Sequence, residues 1–141
     1  MTSYSALSPV SAGVYTALNV AGLTALAPGG VHDDLPQNTA FPCVLFDVDD
    51  YREGGFGTKP GVKQLSRIDL RVHVFSKFAG MSEAQSVMNK VLQLLADAPT
   101  VSGYSSWAIF HDETVNLGDQ ELAGVKVKEL VALFRIYVEA P

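Results

Sequence analysis

The residues best suited to chemistry lie in PCVLFDVDDYREGG, where an apolar run ends in Asp47-x-Asp49. Two carboxylates so spaced at the end of a strand are what phosphoryl transfer by an aspartate nucleophile requires. One Asp would attack the phosphorus, the second would handle the proton, and both would help hold magnesium. That chemistry also needs a lysine to offset charge and a later acidic pair for the metal. The later candidate, Gly118-Asp119 in LGDQELAG, lacks a second downstream Asp. Side chains at i and i+2 of a strand share one face. Asp47 and Asp49 therefore read better as the polar side of a strand.

Other constellations are weaker. The Asp-x-Asp stretch resembles the first motif of haloacid-dehalogenase-like phosphatases, but that motif opens a parallel-sheet protein and this chain is short for it. Three clusters carry metal-ligand types: His32-Asp33-Asp34, Asp47-Val48-Asp49-Asp50 and His111-Asp112-Glu113. Neighbours along a strand point to opposite faces, so each cluster offers few converging ligands. No His pair sits at i, i+4, and no Gly-x-Ser-x-Gly elbow occurs. Cys43, the one cysteine, starts an apolar strand, where a thiol is inert packing rather than a nucleophile. GGFGTKPG lacks the Gly-Lys-Ser/Thr step of a phosphate loop, because Pro60 follows Lys59. No catalytic residue, cofactor or metal is expected.

The elements that would position these residues can be read from periodicity. Residues 9–21 form a helix candidate, with Ser8 as cap and Pro9 at its first position. Val10, Val14, Ala17, Leu18 and Ala21 share one face. Gly22 ends or bends this helix, and 23–27 add a turn before Pro28-Gly29-Gly30. Residues 31–42 read as a short extended piece plus turn. Residues 43–50 form a strand with Val44, Phe46 and Val48 on one side. Residues 53–62, with four glycines, form a loop or hairpin tip.

Residues 65–77 alternate strictly. Ile68, Leu70, Val72 and Val74 face one way; Arg67, Asp69, Arg71 and His73 face the other, toward water or a partner. Residues 81–98 form the clearest helix, with Ser82 and Gln85 at capping-box spacing and Ala84, Val87, Met88, Val91, Leu92 and Leu95 as its apolar stripe. Residues 105–113 and 125–139 read as strands separated by a turn-rich loop over 115–124. From Leu130 onward the last strand is apolar on both faces, with Arg135 the exception, and such a strand must be covered on both sides. The expected fold is α+β: a mostly antiparallel or mixed twisted sheet of four to five strands, with two main helices packed on one face.

Composition bounds the class. At 141 residues the chain is expected to form one domain over 1–141. The first ten residues hold no Lys or Arg, and no apolar run is long enough for a membrane helix, so neither a secretory signal nor a membrane span is expected. A net charge of −5 argues against a nucleic-acid-binding surface. Charged residues are only 18% of the chain, against about 25% typically. Either the surface is rich in small polar residues, or other subunits cover part of it.

The ordered segments resemble the tail-completion, or tail terminator, proteins of long-tailed bacteriophages and prophages. The matching pieces are VYTALN with LTALA, then VHDDLPQNTAFPCVLF, then SRIDLRVHVFSK, then AQSVMNKVLQLL, together covering 14–95. The Asp-Asp-x-Pro-Gln segment leading into a Pro-started strand is the most specific. The resemblance implies a small sandwich of a sheet with helices on one side, without catalysis. It implies a homohexameric ring at the head-proximal end of the tail tube in the virion, assembled in the host cytoplasm. Such a ring ends tube polymerisation and joins a head-completion or connector protein. The implied partners are thus other copies, the major tail tube protein and the connector protein. DNA passes through without specific binding, and no membrane is involved. Another head–tail joining ring, in the neck above the terminator, is the alternative. The expected assembly interface comprises Gly54, Gly55, Phe56, Gly57 and Lys59 of the glycine-rich loop, Arg67, Arg71 and His73, and Val131, Leu133, Arg135 and Tyr137.

Overall fold

A computed structural model of the chain describes residues 6–51, 65–122 and 124–140. The first helix, α1 (Leu7–Leu18), buries Val10, Val14 and Leu18. It starts two residues earlier than its Ser-Pro pair suggests. Ala6 occupies the cap position and no side chain caps the helix. Pro9 is accommodated because the first four amides of a helix have no intrahelical acceptor. The break that follows falls at Asn19 and the extended Val20, not at Gly22, which lies inside the one-turn helix α2 (Ala21–Thr24).

The remaining elements are β1 (Val31–His32), β2 (Cys43–Tyr51), β3 (Leu65–Ser76), α3 (Ser82–Leu94), β4 (Ser105–Leu122) and β5 (Val125–Glu139). Among the described residues the strands form one mixed sheet in the order β1-β2-β3-β5-β4. All pairs are antiparallel except β1 with β2, where Val31 and His32 lie beside Val44 and Leu45. Residues 33–42 are long enough to carry the chain back for that one parallel pair. The architecture is the α+β fold expected.

One face of the sheet carries the core. Phe46 of β2, Ile68, Leu70, Val72 and Val74 of β3, and Ala132, Phe134, Ile136 and Val138 of β5 are buried there. Against them pack Val10, Val14, Leu18 and Leu23 from the first two helices and Ala84, Val87, Met88 and Val91 from α3. α1 rests on β1 and β2; α3 rests on β3 and β5. The opposite side, called the open face below, carries a smaller cluster at one corner. There Cys43, Phe75 and Val127 are buried, with Leu35 and Phe41 of the 33–42 segment folded against them.

Two expectations are corrected. Residues 115–124 are not a loop: β4 continues to Leu122, and β5 begins at Val125. The 18 residues of β4 run against the 15 of β5, and register shifts between Ser106 and Ala108, His111 and Glu113, and Asn116 and Gly118 take up the difference. At the third shift Gly118 has φ +68° and donates its amide to Asn116 Oδ1 at 2.8 Å. The other correction is at α3, which ends at Leu94 and has no side-chain cap. Ser82 lies within its first turn, and Glu83 accepts a bond from Ser76 Oγ at 2.9 Å.

Gly29 is required by close packing. Its amide donates to Pro42 O at 3.0 Å, and a Cβ there would collide with Ala40 O and Cys43 Cβ. Gly29→Ala is expected to lower stability by about 1–3 kcal/mol through overpacking. A fall in the urea midpoint at constant slope would show it.

Candidate assembly interface

The open face is built by the strict alternation of β2, β3 and β5. Register places Arg71 between Asp47 and Leu133, His73 between Leu45 and Val131, and Arg67 beside Tyr137. Cross-strand neighbours on one face lie about 5 Å apart, within reach of charged side chains. Arg71 uses this fully. Its Nε donates to Asp47 Oδ1 at 2.8 Å, and its Nη2 donates to Asp47 Oδ2 at 3.1 Å and Asp49 Oδ2 at 2.8 Å. Arg67 Nε donates to Asp69 Oδ1 at 2.9 Å, and Arg135 Nε lies 3.0 Å from Asp112 Oδ1. His73 Nδ1 lies 2.7 Å from Glu129 Oε2, with its ring stacked parallel to Phe75 at 6.1 Å.

These bonds to carboxylates raise the pKa of Arg71 and Arg67 above the usual arginine value, and Arg135 is raised by Asp112 and Tyr137. The apolar part of the face is a stripe beside the ion pairs. Tyr137 meets Phe110 of β4 edge-on at 5.9 Å, and the Arg135 guanidinium lies 5.2 Å from the Phe110 ring centre.

Seven of the residues expected at an assembly interface thus share one face: Arg67, Arg71, His73, Val131, Leu133, Arg135 and Tyr137. Gly54, Gly55, Phe56, Gly57 and Lys59 lie outside the described residues. Sequence reasoning did not assign the partners Asp47, Asp49, Asp69, Asp112 and Glu129, or the exposed ring of Phe110, to the interface. Charge alternation in β2 facing that in β3 was the signal for the aspartates; Glu129 and Asp112 needed the register.

The expected cover over the second side of β5 is only partly found within the chain. Val131 is 6% exposed, and Leu133 and Tyr137 are half-buried among their cross-strand neighbours. No helix rests on this side among the described residues.

The same geometry bears on the chemical readings. Asp47 and Asp49 are both bonded to Arg71. Among the described residues no three His, Cys, Asp or Glu side chains are placed to hold a metal ion. Burial pushes the Cys43 thiol up to about 11. No described helix is long and apolar enough to cross a membrane.

Residues 12–139 match the family described as Tail completion protein gp17. The chain belongs to that family. It is therefore a structural virion protein of the junction between phage head and tail, not an enzyme. Two solved structures share the fold. A chain in the virion of a native gene transfer agent particle is 22% identical, covers 98% of this chain and 100% of its own length, and superposes with a TM-score of 0.74. The gp17 protein of bacteriophage SPP1 is 13% identical, with 90% and 87% of the two chains covered and a TM-score of 0.52. No curated protein matches the sequence. The segments that carried the resemblance fall on defined elements: SRIDLRVHVFSK lies in β3 up to Ser76, and AQSVMNKVLQLL lies largely in α3.

Two measurements follow from the electrostatics. Cys43 is expected to resist a thiol-specific reagent at pH 8 in the native protein and to react once urea unfolds it, as followed by absorbance. At the far end of the β4–β5 hairpin, Lys128 Nζ and Lys126 Nζ lie 2.5 and 3.5 Å from Asp119 and hold its carboxyl below the usual range. A depressed carboxylate pKa contributes stability that is present at neutral pH and lost as pH falls through the folded-state value. Lys128→Met is expected to return Asp119 toward the ordinary range in a carboxyl NMR titration.

Proposed function

We propose that the chain acts as a homohexameric ring on the head-proximal end of the tail tube. The ring stops addition of tail tube subunits and presents its other side to a head-completion or connector protein. The observation that supports this most is the open face, a sheet surface without a helical layer whose charges are already paired. A ring contact is heterologous, joining two different patches of successive subunits. Arg67, Arg71, His73, Val131, Leu133, Arg135 and Tyr137 supply one patch. The second is the surface of α1 and α2. No Asp, Glu, Lys or Arg occurs before Asp33, and Tyr15, Val20 and Leu26 stand exposed there. Contiguous uncharged surface of this kind marks a contact with another protein. Gly54, Gly55, Phe56, Gly57 and Lys59, which lie between β2 and β3 in the sequence, are assigned to the same contact.

The net charge of −5 suits a channel through which DNA passes without adhering. Assembly onto the tail takes place in the host cytoplasm.

Leu133→Asp combined with Tyr137→Asp puts two carboxylates into the apolar stripe. The variant is expected to keep its circular dichroism spectrum, to appear only as monomer by native mass spectrometry with tail tubes present, and to yield unjoined heads and tails by electron microscopy. Joined particles at the wild-type level would overturn the assignment.

A further inference from the structure

β4 is the longest strand and lies at the edge of the sheet. None of its described side chains is buried, and among the described residues no strand pairs with its outer edge. α3 lies over β3 and β5, and of the described residues of β4 only Ile109 packs against the core from the edge. Between α3 and β4 runs a groove of about 300 Å³ lined by Met81 just before α3, Met88 and Leu92 of α3 and Leu130 of β5, with the polar Gln85 and Asn89 of α3 and Thr114 and Asn116 of β4 among them.

We propose that the outer edge of β4 accepts, as an added strand, an extended segment of a different protein that carries apolar residues at alternate positions and Lys or Arg between them. An edge strand offers a row of backbone donors and acceptors that an extended chain can pair with. An added strand would lie about 4.8 Å further out, with successive side chains on opposite sides of the sheet. On the helical side those side chains reach the groove, where Met81, Met88, Leu92 and Leu130 offer apolar surface beside a polar margin and call for apolar residues. On the open side they lie beside Glu113, the cross-strand neighbour of Leu133. Glu113 is exposed and makes no ion pair among the described residues, whereas Asp112 and Asp119 are held by Arg135 and the two lysines. A cation is the group that matches that position. Main-chain bonds would supply affinity, and the alternating environments would supply specificity.

A second copy does not fit this edge. β4 carries Asp112, Glu113, Asp119 and Glu121 and no Lys or Arg, so β4 against β4 sets like charges side by side. The sheet's other long strand near an edge, β2, brings Asp47 and Asp49. The register shifts also limit the contact. The run 113–116 is regular, with a shift on either side, so the edge offers a short template rather than a long one. Bulges blunt indiscriminate edge pairing, and a short run favours a matching segment over a generic strand. This surface is separate from the ring contact and stands whether or not a ring forms.

The test uses the full chain and three synthetic peptides of about ten residues, alternating Val-Lys, Gly-Lys and Val-Glu. Fluorescence anisotropy measures binding, and NMR hydrogen exchange locates it. The Val-Lys peptide is expected to bind saturably and to slow amide exchange in 113–116. Gly-Lys and Val-Glu are each expected to bind at least about tenfold more weakly. Glu113→Lys and Leu92→Lys are each expected to weaken Val-Lys binding by about tenfold with an unchanged melting curve. Should Leu92→Lys fail to fold, the exposed Glu113→Lys carries the test alone. Equal binding by Gly-Lys would show plain charge attraction and overturn the proposal. So would protection outside β4, or protection of 113–116 that grows with protein concentration without peptide, the signature of a second copy.

Discussion

An α-helix with its side chains is about 10 Å across, and neighbouring strands lie about 4.8 Å apart. Two helices side by side therefore cover about four strands. This sheet has five among the described residues, with α1 on β1 and β2 and α3 on β3 and β5. The fifth strand has no helix to lie under, and the whole reverse side has none either. The core is complete within those limits, since the largest fully buried side chains all sit between the helices and the three inner strands. The surfaces left bare are consequences of that width.

The bare side is neutralised rather than covered. Arg71 shared by Asp47 and Asp49, Arg67 with Asp69 and Arg135 with Asp112 place each arginine against an anion of the same sheet. Exposed pairs of this kind add little to stability, with a median of about 0–1 kcal/mol each. Their effect is on association. Burying a lone charge is costly, whereas a charge that already has its partner brings part of the compensation with it. Side chains held by two bonds also have less freedom to lose when another surface closes over them. A face of this kind stays soluble when alone and can still be covered.

Much of this was legible in the chain wherever burial imposes a period. β3 shows it best: Ile68, Leu70, Val72 and Val74 had to face the core, so Arg67, Arg71 and His73 had to share the other side. The stripe of α3 is equally plain. The distal half of β4 was illegible because no buried face imprints alternation on it; backbone pairing with β5, information held by another segment, makes it a strand. The start of α1 misled for a related reason, since Ser8 has the chemistry of a cap but Ala6 holds the position without one. On the open face the arginines and most of the aspartates could be seen, and their pairing could not. Which carboxylate meets which arginine depends on register, and register is fixed by the whole sheet.

The three register shifts give β4 a property that β5 lacks. Each extra residue resets which side chains point to which side, so the strand is divided into short blocks with independent phase. Loss of one residue inside a block, taken up by the extra residue at the next shift, would turn the residues between to the opposite side. β5 and the core beneath it would keep their alignment. Related chains could thus diversify what this border displays by small insertions and deletions, at little risk to folding.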